Sequence, residues 1–507
     1  MWPLLAATLC SPAAPVHLEG DVTADGGDYV DLAFDVADGV AEIHVAHPAL
    51  SPAVILDWGV WSPSGFRGWG GGLTEDAVIG VDQSSRGYLP GPIAAGTWTL
   101  EIGKAQLANG TGHYSVDITC SAQQSLPVLP RAAYQPIVMA TGKRWYKGDF
   151  HVHSLQSGDS MAPFQSDIDL AHSRGLDFIN LSDHNTVAQH ALVAAQQPGW
   201  PVLVLRSQEI TTYSGHGNGV GIHDYVDHRL GHAGRTIADV IGDVTAQGGM
   251  FLVNHPATDL GMACIGCGWK HMTDVPWDKV SGLEILTAGY GLGERAFTPT
   301  VITMWDDLEN QGHRLSAVSG SDDHTAGVGA DNVTGSAIGS PTALVLASEL
   351  SEAAIIDAVR HQHTKVKLRG PDDPDLDFAV KTASGGLADI GDDVTGVSRV
   401  EMPVQISGGD GMFAQIWRDG AQIAQVPVTG ATFSTTFEDT PGAGAHRYRA
   451  ELVDQGGRRV SVTSHIYVQA TAASSGGCGA AAGGSLLAVI PWLLAGRRRR
   501  RRQLTAS

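Results

Sequence analysis

"GDFHVHS", Gly148 to Ser154, places two histidines one residue apart in a short extended-looking stretch. Side chains two apart on a strand share a face, so His151 and His153 point the same way. Paired imidazoles pack poorly in a core and are well placed to grip a metal ion, although two histidines on an exposed strand face would look the same. The ligands supplied by the rest of the chain decide between the two.

From Trp145 to about Gly370 a pattern of strand, loop and helix repeats. In "TIADVIGDVTAQGG", Thr236 and Asp239 form a capping box, Ile237, Val240, Ile241 and Val244 fall at helical spacing, and Gly248 and Gly249 end the helix. "SDIDLAHSRG" opens with a similar pair, Ser166 and Asp169. This alternation predicts an α/β fold with a β/α barrel. Polar residues follow its short apolar runs: Asp183 and His184 in "LDFINLSDHNT", Glu209 in "PVLVLRSQEI", His255 in "GGMFLVNHP", Asp322 and His324 in "LSAVSGSDDH". His216 precedes a strand in "YSGHGNGVGI". In such a barrel the C-terminal strand ends share one face, where these residues would meet. Imidazoles mixed with carboxylates suit zinc, manganese or iron better than calcium or magnesium, and this many ligands implies more than one ion.

Outside that segment, residues 16–125 and 371–470 read as short alternating strands with regular turn signals, predicting two flanking β-sandwiches. Residues 126–144 carry three prolines and read as a linker. Residues 1–15 are a candidate signal peptide without a basic start. Residues 471–507 hold a small-residue linker, an uncharged span from Gly479 to Gly496 and the run Arg497 to Arg502, which predicts one C-terminal transmembrane helix with a basic flank. Acidic residues outnumber Lys plus Arg by 53 to 32, which argues against nucleic acid as a partner. Cys264 and Cys267 form one Cys-x-x-Cys pair with no second pair to complete a structural zinc site, leaving a local disulfide or two free thiols; an oxidising compartment favours the disulfide.

"GDFHVHS", "LDFINLSDHNT", "QEITTYSGHGNGVGI", "VNHPA" and "SGSDDH" follow one another as in the polymerase-and-histidinol-phosphatase (PHP) family, and most resemble its carbaryl-hydrolase-like (CehA/McbA) branch. "GFRGWGGG" and "RGYLPGPIAAGTWTLEIG" resemble the sandwich that precedes the metal domain there, and "SHIYV" its closing strand. The tail, with Cys478 before the span, resembles myxobacterial C-terminal sorting signals. The resemblance implies a distorted β/α barrel of the PHP type at residues 145–370, carrying two or three divalent transition-metal ions (Zn, Mn or Fe). It would place His151, His153, Glu209 and Asp322 on a first ion, with Glu209 bridging to a second held by His216 and His255. His184 and His324 would hold a third with Asp159, which in "SGDS" stands one place later than the family's usual Ser-Asp-Gly. Catalysis would depend on Glu209, Asp322 and His255, and Asp183 would orient a ligand histidine.

Several other histidines read as solvated: His172, His228, His232, His361, His363 and His223, the last a candidate for the rim of the site. Asp323 should point away from its two neighbours. The expected protein is an exported hydrolase, periplasmic, in the outer membrane or at the cell surface, using a metal-activated water to cleave phosphoester or carbamate/ester bonds. Its partners would be a small-molecule substrate, the membrane through the C-terminal span, and C-terminal sorting or processing machinery. The alternative is a surface adhesion or carbohydrate-binding protein in which the metal barrel is structural.

Overall fold

The computed structural model describes residues 9–47, 53–71, 73–287, 289–333 and 335–472. Residues 9–121 build two sheets around one core. Tyr29–Val36, Gly96–Leu107, Val54–Ser62 and Gly65–Gly71 lie in one with Leu9–Cys10 at its edge; Val16–Thr23, Thr111–Ser121, Glu42–Ala46 and Ala77–Gly80 make the other. Phe34, Trp58, Trp98 and Leu100 from the first meet Ile43, Val116 and Ile118 from the second. A disulfide from Cys10 to Cys120 ties the two sheets together. Residues 9–15 of the stretch read as a candidate signal peptide thus belong to this unit, and residues 1–8 lie outside the described residues.

The central segment supplies β1 (Ala140–Val152), α1 (Phe164–Ser173), β2 (Phe178–Leu181), α2 (Gln189–Gln196), β3 (Leu203–Thr212), β4 (Gly215–Val220), α3 (Ile237–Ala246) and β5 (Met250–Val253). It continues with β6 (Val280–Thr287), α4 (Tyr290–Ala296), α5 (Thr298–Asn310), β7 (Ser316–Gly320), β8 (Thr342–Leu350), α6 (Glu352–Arg360) and β9 (Thr364–Lys367). The sheet runs β7-β6-β5-β4-β3-β2-β1-β8-β9. Helix α3 carries the expected capping box, with Ile237, Val240, Ile241 and Val244 buried. Helix α1 starts two residues before Ser166, with Pro163 at its N-cap and no side-chain cap.

This corrects the expected fold class. The chain is mostly β, and its strands do not close into a barrel: β7 ends an open path, and β1 ladders to β8, which ladders in turn to β9. Strand direction is also mixed, because β4 runs antiparallel to both β3 and β5, and β1 antiparallel to β8. A repeat of strand and helix in sequence fixes spacing but neither direction nor edge pairing, which is where the barrel expectation fails. In the C-terminal unit Asp375–Phe378, Val400–Ser407 and Thr432–Asp439 form a small sheet whose Leu376, Val404 and Ile406 share a core with Ala414, Ile416 and Leu452 of a second sheet, and that second sheet is continuous with the central one. Arg459–Thr463 pairs with β9, Lys365 opposite Thr463 and Val366 opposite Val462, so the sheet passes without a break into the strands Gly444–Val453, Phe413–Arg418 and Ala421–Pro427. No helix among the described residues is long and apolar enough to cross a membrane, and the stretch Gly479–Gly496 lies outside them.

One local irregularity positions the site. The β1–β8 ladder stops at Gly148, and the freed edge of β1 takes up residues 321–323: Asp322 N–H donates to His151 O at 2.8 Å and His153 N–H to Asp323 O at 3.0 Å. The two-histidine strand end is clamped between β2 and the segment that follows β7. Gly320 makes the approach feasible, since a Cβ there would collide with the backbone and Cβ of His151.

The N-terminal unit docks on the central one through buried polar groups. Glu101 is fully buried, accepts from Trp61 Nε1 at 2.6 Å and lies 3.4 Å from Arg229 Nη1 and 3.6 Å from His228 Nε2. His228 is therefore a buried interface residue, not the solvated one expected. Burial pushes the Glu101 carboxyl up to about 7, against the pull of Arg229. A carboxyl that holds its proton more tightly when folded stabilises the fold fully below its unfolded pKa, near 4.5, and loses that contribution as pH rises towards 7. Glu101→Gln should remove this fall, of about 1.4 kcal/mol per pH unit at most, between pH 4.5 and 7; urea unfolding midpoints across that range measure it, and an unchanged slope would assign the titration elsewhere.

Candidate metal centre

Five imidazoles surround one carboxylate. Glu209, buried near the end of β3, has His151 Nε2 at 3.2 Å, His153 Nε2 at 3.5 Å, His184 Nδ1 at 2.7 Å, His216 Nδ1 at 3.5 Å and His255 Nε2 at 3.4 Å. Asp322 Oδ1 stands 3.2 Å from His151 Nε2 and 3.1 Å from His153 Nε2. Asp159 Oδ2 lies 3.2 Å from both His184 Nε2 and His324 Nε2. The structure thus brings together all nine residues named as metal ligands. They fall into overlapping groups whose ligand atoms lie within 4.8 Å of one another: His151, His153 and Asp322; His151, Glu209 and His255; His153, Asp159, His184 and His324. A fourth group joins His216 and His255 to Cys267.

Two of the candidate ligands carry backbone strain. His255 has φ 29° and Asp322 φ 57°, left-handed values that non-glycine residues seldom adopt. Strain of this kind persists where the surroundings over-determine a side-chain position, and here it turns two donors inward.

The donor set fits divalent transition-metal ions. Both ring nitrogens of buried His216 lack a hydrogen-bond partner, as does Glu209 Oε2, whose close approach to His184 is not aligned as a hydrogen bond. His151 Nε2 and His153 Nε2 face each other at 3.1 Å. Buried polar atoms left this way are costly unless something positive sits between them. The electrostatics agree. Burial alone would raise the carboxyl of Glu209, yet His151 and His184 hold it well below the usual range; Asp322 is held down in the same way by His151, His153 and His324. Burial opposes protonation of His151 and His184, but the carboxylates around each override it and raise both. His153 is pushed down to about 3 by burial and by His324 and His184.

Residues that sequence reasoning missed hold these donors in place. Glu284 of β6 accepts from His151 Nδ1 at 3.0 Å, from the His255 backbone N–H at 2.9 Å and from Thr287 Oγ1 at 2.6 Å. It fixes one ligand ring and one strained backbone together. Its signal in the sequence was a single acid within the otherwise uncharged strand "VSGLEILT". Asp149 accepts from the backbone N–H groups of His151, Ser321 and Gly339. Asn254 donates to Glu209 Oε1 at 2.8 Å. Ser157 Oγ accepts from His153 Nδ1 and donates to Asp159 Oδ1. Asp183 accepts from the backbone N–H and the hydroxyl of Ser154, both at 2.7 Å, bracing the turn after β1 rather than touching a ligand ring. Asp323 turns away to accept from the N–H groups of Thr325 and Ile338.

The N-terminal unit reaches the same site. Arg86 Nη1 donates to Ser160 O at 2.8 Å, and Gly87 O accepts from Thr186 Oγ1 at 2.9 Å, so the sandwich braces the loop that carries Asp159. On the other side a cavity of about 300 Å³ opens beside His255, Asp322 and His324. Leu260, Leu292, Phe297, Val328 and Val333 contribute to its wall, and no Lys or Arg does among the described residues.

No known family profile and no curated protein matches the chain. Among solved structures it is similar to a protein of Bifidobacterium adolescentis described as a candidate metal-dependent phosphoesterase, with 14% identity over 37% of this chain and 92% of that one and a TM-score of 0.24. A mutant of the periplasmic g-type lysozyme inhibitor of Escherichia coli shares 18% identity over 23% of this chain and 100% of its own, TM-score 0.14. An FMN-binding β-glucuronidase of Faecalibacterium prausnitzii shares 8% over 87% and 91%, TM-score 0.19. Scores this low assign neither fold nor activity.

Glu284→Gln keeps the size of the side chain but removes its charge. It should weaken metal binding by about 10–100-fold, measured by chelator competition followed by elemental analysis, while the unfolding midpoint of the metal-free protein stays close to wild type. Unchanged affinity would remove Glu284 from the positioning role.

Proposed function

We propose that this protein is a metal-dependent hydrolase of an ester-type bond. The observation that carries the reading is Glu209 buried among five imidazoles, with both ring nitrogens of His216 left without a hydrogen bond, beside an apolar-walled cavity. His151, His153, Glu209, His216, His255 and Asp322 would hold two divalent ions, and Asp159, His184 and His324 a third. Zinc, manganese or iron there would supply Lewis-acid activation of water and neutralisation of charge on the attacked group.

The chain's own residues do the rest. Glu284 keeps a proton on His151 Nδ1, so that Nε2 offers its lone pair; Cys267 O, 3.2 Å from His255 Nδ1, does the same for His255, and Asp322 O for His324. The wall of Leu292, Phe297 and Val333 takes the apolar part of a substrate and excludes water from it. Among the described residues no Lys or Arg lines that wall, so charge on a phosphate would be met by the metal ions, while an uncharged ester or carbamate would need no such compensation. The motif resemblance to the PHP family and its carbaryl-hydrolase-like branch supports the same bond types. Two disulfides, Cys10–Cys120 and Cys264–Cys267, support an exported protein working in an oxidising compartment.

Metal content by elemental analysis, with turnover of aryl phosphate, aryl ester and naphthyl carbamate substrates, tests this on wild type and Glu209→Gln. Two or more ions per chain and turnover reduced by at least about 100-fold in the variant are expected. One ion or none, with no turnover under any added divalent metal, would overturn the reading in favour of a surface-binding protein.

A further inference from the structure

The loop after His255 brings a cysteine to the metal centre. Cys267 is buried, its carbonyl accepts from His255 Nδ1, and its Sγ lies within 4.8 Å of a ring nitrogen of His216 and one of His255. The loop is seated there by Gly266, whose φ of 81° and missing side chain let it lie against the backbone of Thr212 and Tyr213 at the β3–β4 turn. His216, 3% exposed and with both ring nitrogens unpartnered, is an independent sign that this corner is built for a ligand. Yet Cys267 is bonded to Cys264, which is partly exposed and lines the apolar cavity. A disulfide sulfur is a poor metal ligand and a thiolate a strong one.

We propose that Cys267 is a metal ligand held in reserve by its disulfide with Cys264, released on reduction to join His216 and His255 around a thiophilic divalent ion. The proposal rests on the metal-centre reading above. The reductant is a dithiol that reaches Cys264 through the cavity. It is oxidised to its own disulfide as the Cys264–Cys267 bond takes up two electrons and two protons to give two thiols; Cys267 then loses its proton to solvent as it binds the ion. Imidazoles and carboxylates accept manganese, iron or zinc, whereas an added thiolate favours zinc or cobalt, so the redox state of one loop sets which metal the centre retains.

Cobalt(II) titration of the purified full chain tests this, before and after reduction with dithiothreitol and desalting. Cobalt should bind in both states, but a thiolate-to-cobalt charge-transfer band should arise only after reduction, with Cys264 alkylated and Cys267 protected in peptide mass mapping. Cys264→Ser, which frees Cys267 without reductant, should show the band at once, and Cys267→Ser in no state. Cobalt bound without the band in both reduced wild type and Cys264→Ser would overturn the proposal while leaving the metal centre intact, as would a band that survives in Cys267→Ser. No cobalt in either state would overturn both.

Discussion

A carboxylate taken wholly out of water must be compensated, and in this molecule the compensation for Glu209 comes from imidazoles. Each of those rings is itself an uncertain cation, so the cluster is stable only where its members are held from behind. Asp149, Glu284, Asn254 and Ser157 do this, each tying a ligand or its backbone to another part of the sheet. The left-handed backbones of His255 and Asp322 and the bare Gly320 against His151 follow from the same demand, since donors from distant strands must converge within a few ångströms.

The site was more legible than the fold. Most of its candidate donors are His, Asp and Glu placed directly after apolar runs, and such residues betray themselves because a strand end is a poor place for them without a purpose. Asp159 could be named only through the family resemblance, one position out of register, and it proves to be the most exposed of the nine, with a side chain 57% exposed. Glu284 and Asp149 escaped because what they do depends on which strand lies beside them. The same ignorance of neighbours led to the barrel: β3 and β4 meet in a tight antiparallel hairpin and β1 ladders to β8, facts of pairing that periodicity does not encode.

The N-terminal sandwich is more than an appendage to the centre. Its Arg86 and Gly87 hold the loop around Asp159 and the turn after β2, while Glu101 and Asp57, the latter accepting from Tyr213 at 2.7 Å, anchor it to residues that follow the ligand strands. The arm of the site formed by Asp159, His184 and His324 is therefore built at a domain boundary, whereas that of His151, Glu209 and His255 is built on strands of a single sheet and the residues that directly follow them.

The uninterrupted ladder from β9 into Arg459–Thr463 has a consequence for how this chain can be divided. Where domains are joined by a linker alone, recombination can exchange them and a protease can release them. Here the two parts share a sheet, and parting them would expose two strand edges, each a template for aggregation. A backbone nick between Lys367 and Asp375 would leave the halves joined as one particle, parting only in denaturant. In inheritance, too, the C-terminal strands must travel with the segment they complete.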